Sequence, residues 1–264
     1  MKIGFFDSGI GGLTVLKKVV MNFGNHNYFY FGDTLNVPYG TKPQSFLINN
    51  LEHIFDFFED LGVDILIAAC NTTDSLVNKG LVNPYDRKFK YISIIKNGLF
   101  QIQENDNVLL LATQNTINLG SYRELIIQKD VKKITEIACP LFVPLIEEGY
   151  WYGPMAESII RYYLIDSTHK YDKVILGCTH YPILKKHISK IVKTQIIDPS
   201  FGIINSLKEE KTLDFIKGRA NINFYVSGET EKFKYLSKKF LKNINYKPSY
   251  SKIDLVNKKI IKKF

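Results

Sequence analysis

The chain is poor in the residues that announce several common protein classes. It has three cysteines, Cys70, Cys139 and Cys178, in 264 residues. An odd number argues against a disulfide framework, and no two of them lie within four positions of each other, so zinc-finger spacing is absent too. No apolar run approaches the roughly 20 residues of a membrane-crossing helix. The opening "MKIGFFDSG" meets Gly4 and Asp7 too early for a signal-peptide core. The expectation is a cytoplasmic protein with no membrane partner.

Acid is scarce at one end only. From Lys232 to Phe264 eleven lysines face a single acid, Asp254, so this stretch carries +10 while the whole chain carries +9. The body is therefore close to neutral, and the lysine run reads as a solvated helix and tail, not as a nucleic-acid patch.

What is present is alternation. Strand patterns at 2–6, 27–33, 63–70 and 90–95 alternate with amphipathic stretches at 11–23 and 45–62. "VDILIAAC" (63–70) is an unbroken apolar run, as expected of a parallel strand covered on both faces. The pattern then restarts: a strand at 106–113, a helix at 116–129, then 133–140, 142–165 and 171–178. The C-terminal part adds a strand at 222–228 and a helix at 231–241. This order predicts an α/β fold with mostly parallel sheets in two pseudo-repeated halves.

Cys70 and Cys178 each close an apolar strand, one in each half, and each is followed by polar residues able to open a helix. Ligands of open parallel sheets sit beyond the carboxyl ends of the strands, so two facing halves would place these thiols on opposite walls of one cleft. A helix N-terminus favours the thiolate. Two facing thiols suit either a disulfide couple or proton transfer at the two faces of one carbon. Redox pairs usually sit two residues apart on one turn, which favours proton transfer and inversion at carbon. Cys139, in "IACPLF", reads as core.

Asp7 ends the first strand and is either a helix N-cap or an acid in the cleft. "DSGIGG" (7–12) is only a fragment of a dinucleotide-binding loop. "VPYGTK" (37–42) is a polar turn whose amides could meet a carboxylate. His180 stands two residues from Cys178, near enough to tune its proton. Glu147 and Glu148 read as a solvated helix end.

Five stretches together give a resemblance: "IGFFDSGIGGLTVL" (3–16), "YFGDTLNVPYGTK" (30–42), "AACNTTDS" (68–75), "CPLFVPLIEEG" (139–149) and "LGCTHYPIL" (176–184). In this order, across nearly the whole chain, they resemble the glutamate racemase family. The resemblance implies two pseudo-twofold-related α/β domains, 1–95 with 207–264 and 96–206, with the active site in the cleft between them. It implies cofactor-independent interconversion of L- and D-glutamate for peptidoglycan synthesis, with no metal, and a homodimer. By resemblance Cys70 is the base for D-glutamate and Cys178 the base for L-glutamate. Asp7 assists Cys70, and His180 and Glu147 assist at the Cys178 side. Substrate contacts fall to Asp7, Ser8, Tyr39, Gly40, Asn71, Thr72, Thr113, Thr116, Thr179 and His180.

Thr73-Asp74, Ala112, Asn115 and Pro199 depart from the family pattern. The alternatives are aspartate racemase, another member of the superfamily or, in another class, a regulatory protein, for example gyrase-directed, that binds through the lysine-rich C-terminus.

Overall fold

A computed structural model describes residues 1–167, 171–257 and 259–263. Lys258 and Phe264 of the lysine run lie outside the described residues. Seven strands form the larger sheet: β1 (Lys2–Asp7), β2 (Asn27–Gly32), β3 (Ile65–Ala68), β4 (Lys90–Ser93), β9 (Ala220–Val226), β10 (Tyr246–Asp254) and β11 (Lys259–Lys263). Their order is β11-β10-β9-β2-β1-β3-β4, parallel throughout except for the β10–β11 hairpin. The smaller sheet holds β5 (Asn107–Ala112), β6 (Lys133–Ala138), β7 (Lys173–Gly177) and β8 (Gln195–Ile197), all parallel, in the order β6-β5-β7-β8. The expected α/β class with mostly parallel sheets is what the chain adopts.

Burial explains why these segments are strands. β1 alternates between two apolar layers: Ile3 and Phe5 join the core under α1 (Leu13–Phe23), while Phe6 packs edge-on against Phe55 of α2 (Gln44–Asp60). Side chains on both faces of a parallel strand leave water, each stabilising by roughly 1.5–3 kcal/mol. α1 presents Leu13, Leu16, Val20 and Phe23 inward at helical spacing.

Several elements end earlier than their apolar runs. β3 stops at Ala68 and β7 at Gly177, so Cys70 and Cys178 stand just past the sheets. The helix expected over 116–129 is split into α5 (Gln114–Leu119) and α6 (Ser121–Ile127) by Gly120 at φ 71°. The stretch 142–165 is α7 (Phe142–Glu147) and α8 (Pro154–Leu164), with Gly149 and Gly153 at φ 84° and 92° between them. The lysine-rich C-terminus is not a helix and tail. It is α11 (Thr230–Phe240) followed by the β10–β11 hairpin, and β8 is a further strand the pattern did not signal.

Two segments join the sheets. One is β4 with α4 (Ile94–Asn97); the other is α10 (Ser200–Glu209). They touch backbone to backbone, since a Cβ on Gly202 would stand 1.7 Å from the Asn97 carbonyl oxygen. α3 (Asn71–Asn78), which begins right after Cys70, is tied to the same crossing by Asp74. The fully buried Asp74 carboxylate accepts from the Tyr91 hydroxyl at 2.8 Å, the Ser93 hydroxyl at 2.7 Å and the Ile95 N–H at 2.9 Å.

Burial pushes the Asp74 carboxyl up from 3.8 to about 6, against the pull of these donors and of Lys96. A carboxyl with a raised folded value contributes stability below its unfolded value and loses it as pH rises through the folded one. Between pH 4 and 7 the protein should therefore lose about 2–3 kcal/mol relative to Asp74→Asn. Urea unfolding of both proteins at the two pH values checks this; a constant difference would refute it.

Candidate active site

The carboxyl ends of the two sheets face each other, and the sequence-selected residues gather there. Cys70 is the N-cap of α3, with extended backbone angles and no side-chain cap bond. Cys178 follows β7 and precedes a 3-10 turn at Tyr181–Leu184, so only Cys70 directly opens an α-helix. Pro182, at the start of that turn, has no N–H to extend a helical ladder backward. Both thiols are free and nearly buried, and the charge on Cys178 weighs on Cys70.

The surroundings of the two thiols differ. Cys178 Sγ lies 3.7 Å from His180 Nδ1, and His180 Nε2 lies 2.6 Å from Glu147 Oε1. Burial alone would push the His180 imidazole down. Hydrogen bonds and charge from Cys178 and Glu147 outweigh it and hold the imidazole well above the usual histidine range. Glu147 is not a solvated helix end: it is almost buried and also accepts from the Ile10 N–H at 2.8 Å. Its neighbour Glu148 is the exposed one and pairs with Lys232 at 2.8 Å.

At Cys70 burial dominates, reinforced by the Asp7 carboxylate, and the thiol is pushed up to about 12 despite bonds involving Thr73. The pull toward thiolate expected of a helix N-terminus is outweighed here by desolvation and a like charge. Asp7 is fully buried; it accepts from Gly9 N–H at 3.0 Å and from the Thr179 hydroxyl, across the cleft, at 2.9 Å.

Three hydroxyls form a compact set between the lobes. Thr72 Oγ1 is 2.9 Å from Thr113 Oγ1 and 3.4 Å from Thr116 Oγ1, and the last two are 2.9 Å apart. Asn71 is nearly buried; its Oδ1 accepts from Tyr122 at 2.6 Å, while its Nδ2 has no partner among the described residues. A buried donor left open at a cleft is suited to a ligand oxygen. Ser8 is also nearly buried, in the loop after β1. Tyr39 and Gly40 form a 3-10 turn with Thr41. The Tyr39 hydroxyl donates to Asp33 at 2.5 Å, so Tyr39 and Gly40 have main-chain groups to offer a ligand.

Sequence reasoning missed what the glycines do. A Cβ on Gly9 would stand 2.0 Å from Glu147 Oε1, one on Gly11 2.3 Å from His180 Nδ1, and one on Gly40 2.7 Å from Thr113 Cβ. "DSGIGG" is a bed for side chains of the other lobe and not a phosphate loop. Asp33 was missed as well: it accepts from Asn36, Tyr39, Asn50 and Ser227 and fixes the 39–41 turn. No cluster of metal-ligating side chains occurs among the described residues.

No family model matches the chain. It is 35% identical to the glutamate racemase of Aquifex aeolicus over 91% of this chain and 94% of that protein. To that of Campylobacter jejuni it is also 35% identical, over 91% and 98%. Among solved structures, the glutamate racemase of Francisella tularensis in complex with D-glutamate is 32% identical with a TM-score of 0.85, covering 97% of this chain and 98% of that one. Aspartate racemase from Picrophilus torridus, at 17% identity and TM-score 0.58, covering 82% of this chain and 96% of that one, shares the fold alone. With curated relatives this similar over nine-tenths of its length, and with the thiols, hydroxyls and carboxylates gathered as above, the chain belongs to the glutamate racemase family and is an amino-acid racemase, an isomerase.

Proposed function

We propose that this enzyme interconverts L- and D-glutamate by two-base proton transfer between Cys70 and Cys178, without a cofactor. The carrying observation is the pair of buried thiols with opposite electrostatic settings: Cys178 beside an imidazole held toward its charged form, and Cys70 held as a thiol. An imidazolium 3.7 Å from Cys178 Sγ suits that residue to act as the base, opposite a Cys70 that keeps its proton. Cys178 takes the α-proton of L-glutamate, Cys70 gives its own proton to the opposite face, and D-glutamate forms. In reverse Cys70 is the base.

For that reverse step the Cys70 thiolate must become accessible. At pH 7 a thiol near 12 resists ionisation by on the order of 7 kcal/mol. The α-ammonium of a bound amino acid, placed by Asp7, lowers this cost by bringing the opposite charge. The Thr72–Thr113–Thr116 hydroxyls, Asn71 Nδ2, Ser8, Thr179 and the main chain of Tyr39 and Gly40 hold the carboxylates and stabilise the carbanion-like state. The lobes 1–95 with 207–264 and 96–206 supply one wall each.

The role proposed in the cell is supply of D-glutamate for peptidoglycan, in the cytoplasm. The Escherichia coli glutamate racemase, 20% identical with a TM-score of 0.75 and covering 96% of this chain and 97% of that one, has been solved with L-glutamate and the activator UDP-MurNAc-ala. A homodimer belongs to the same reading, and the exposed Tyr152, Met155, Tyr162 and Ile165 at and around α8 suit a self-contact.

Cys70→Ala should abolish racemization yet still exchange the α-proton of L-glutamate in D₂O, and Cys178→Ala should do the same for D-glutamate. Proton NMR with chiral analysis reads both; racemization by either variant at a near-normal rate would sink the two-base assignment.

Gly11→Ala should displace His180 and lower kcat/KM by about 100-fold. Since the enantiomers are equal in energy, the loss must be equal for both. Steady-state kinetics in each direction checks this, and an undiminished rate would mean that His180 tolerates the shift.

A further inference from the structure

One side chain outside the set above bridges the lobes without touching either thiol or any side chain assigned to substrate chemistry. Asn115 of α5 donates from Nδ2 to the carbonyl oxygens of Tyr39 and of Lys42, both at 2.9 Å. These carbonyls belong to the 3-10 turn and its end, where Lys42 N–H closes on Tyr39 O at 3.2 Å.

The grip is on a rigid piece. Asp33 accepts the Tyr39 hydroxyl at 2.5 Å and is itself held by Asn50 and Ser227, so the turn is fixed to the larger sheet. Asn115 is fixed to the smaller one, two residues after Thr113, whose side chain already rests against Gly40. Both bonds use main-chain acceptors that are present with or without substrate.

We infer that Asn115 is a positioning residue: a latch that holds the two lobes closed around the site and so sets how much binding energy closure draws from glutamate. Where closure is part of binding, weakening the closed form raises the apparent dissociation constant by the lost closed fraction. The latch acts before either thiol, so it acts alike on both enantiomers. The kinetic half of this inference rests on the racemase reading; the structural half does not.

The test uses the full chain with Asn115→Ala and with Asn115→Asp, which keeps the shape and loses the donor. kcat and KM are measured for L- and D-glutamate, and amide hydrogen exchange over residues 39–42 is measured in the free protein. For both variants KM should rise about tenfold, by the same factor for each enantiomer, with kcat unchanged or raised. Exchange over 39–42 should quicken by a similar factor, with the thermal midpoint held.

Unchanged KM and exchange would overturn the latch, as would Asn115→Asp behaving like the parent protein. A fall in kcat for both enantiomers with KM unchanged would overturn it too, by moving Asn115 into the chemistry. If the parent protein failed to racemize glutamate, the racemase reading would fall while hydrogen exchange still decided the latch.

Discussion

The site depends on how closely one lobe's backbone can approach the other's side chains. Glu147, His180 and Thr113 belong to elements of the smaller sheet, yet each lies against a loop of the larger one where a Cβ would occupy the same space. Gly9, Gly11 and Gly40 are therefore steric necessities more than conformational ones, since none has a positive φ. Their smallness lets Ile10 N–H reach Glu147, and the same approach brings Thr179 to Asp7. Every electrostatic feature of the site follows from that contact, because it excludes water from both thiols at once.

Exclusion of water disfavours charge on both sides, and neighbours offset it on one and reinforce it on the other. On one wall an imidazole lies between a thiol and a carboxylate, so its positive charge is welcome even when buried. On the other, a buried thiol stands near a carboxylate, and its proton is held tightly. Burial of an unpaired charge costs far more than burial of a charge in a chain of partners. The fold thus distinguishes two chemically identical side chains by their neighbours alone.

Much of this was legible in the sequence because it is encoded locally. Runs such as "VDILIAAC" mark buried parallel strands, and the thiol at each strand end marks the cleft. What escaped was what depends on distant pairs. Glu147 read as solvated because its partners, Ile10 and His180, are 137 and 33 residues away. The split at Gly120 had only a single glycine as its signal within an otherwise helical pattern. The β10–β11 hairpin was masked by lysines and by the absence of clean alternation; its outer strand is exposed throughout. Asn115 drew notice as a departure from the family pattern, but its two acceptors lie in a turn more than 70 residues away.

The unequal thiols raise a question of balance that thermodynamics settles. L- and D-glutamate have the same free energy in water, so the ratio of kcat/KM in the two directions is one at every pH and for every variant. Under the proposed two-base mechanism, a preference for keeping the proton on Cys70 cannot bias that ratio; it redistributes kcat and KM within each direction. D-glutamate, which under that proposal needs Cys70 as base, must first draw the enzyme into the minor form. That requirement lowers the apparent affinity for D-glutamate by the minor fraction, and an equal factor in kcat compensates. An asymmetric site is therefore compatible with a symmetric reaction. What the asymmetry supplies under that proposal is a proton held on Cys70, opposite the base that would meet L-glutamate first.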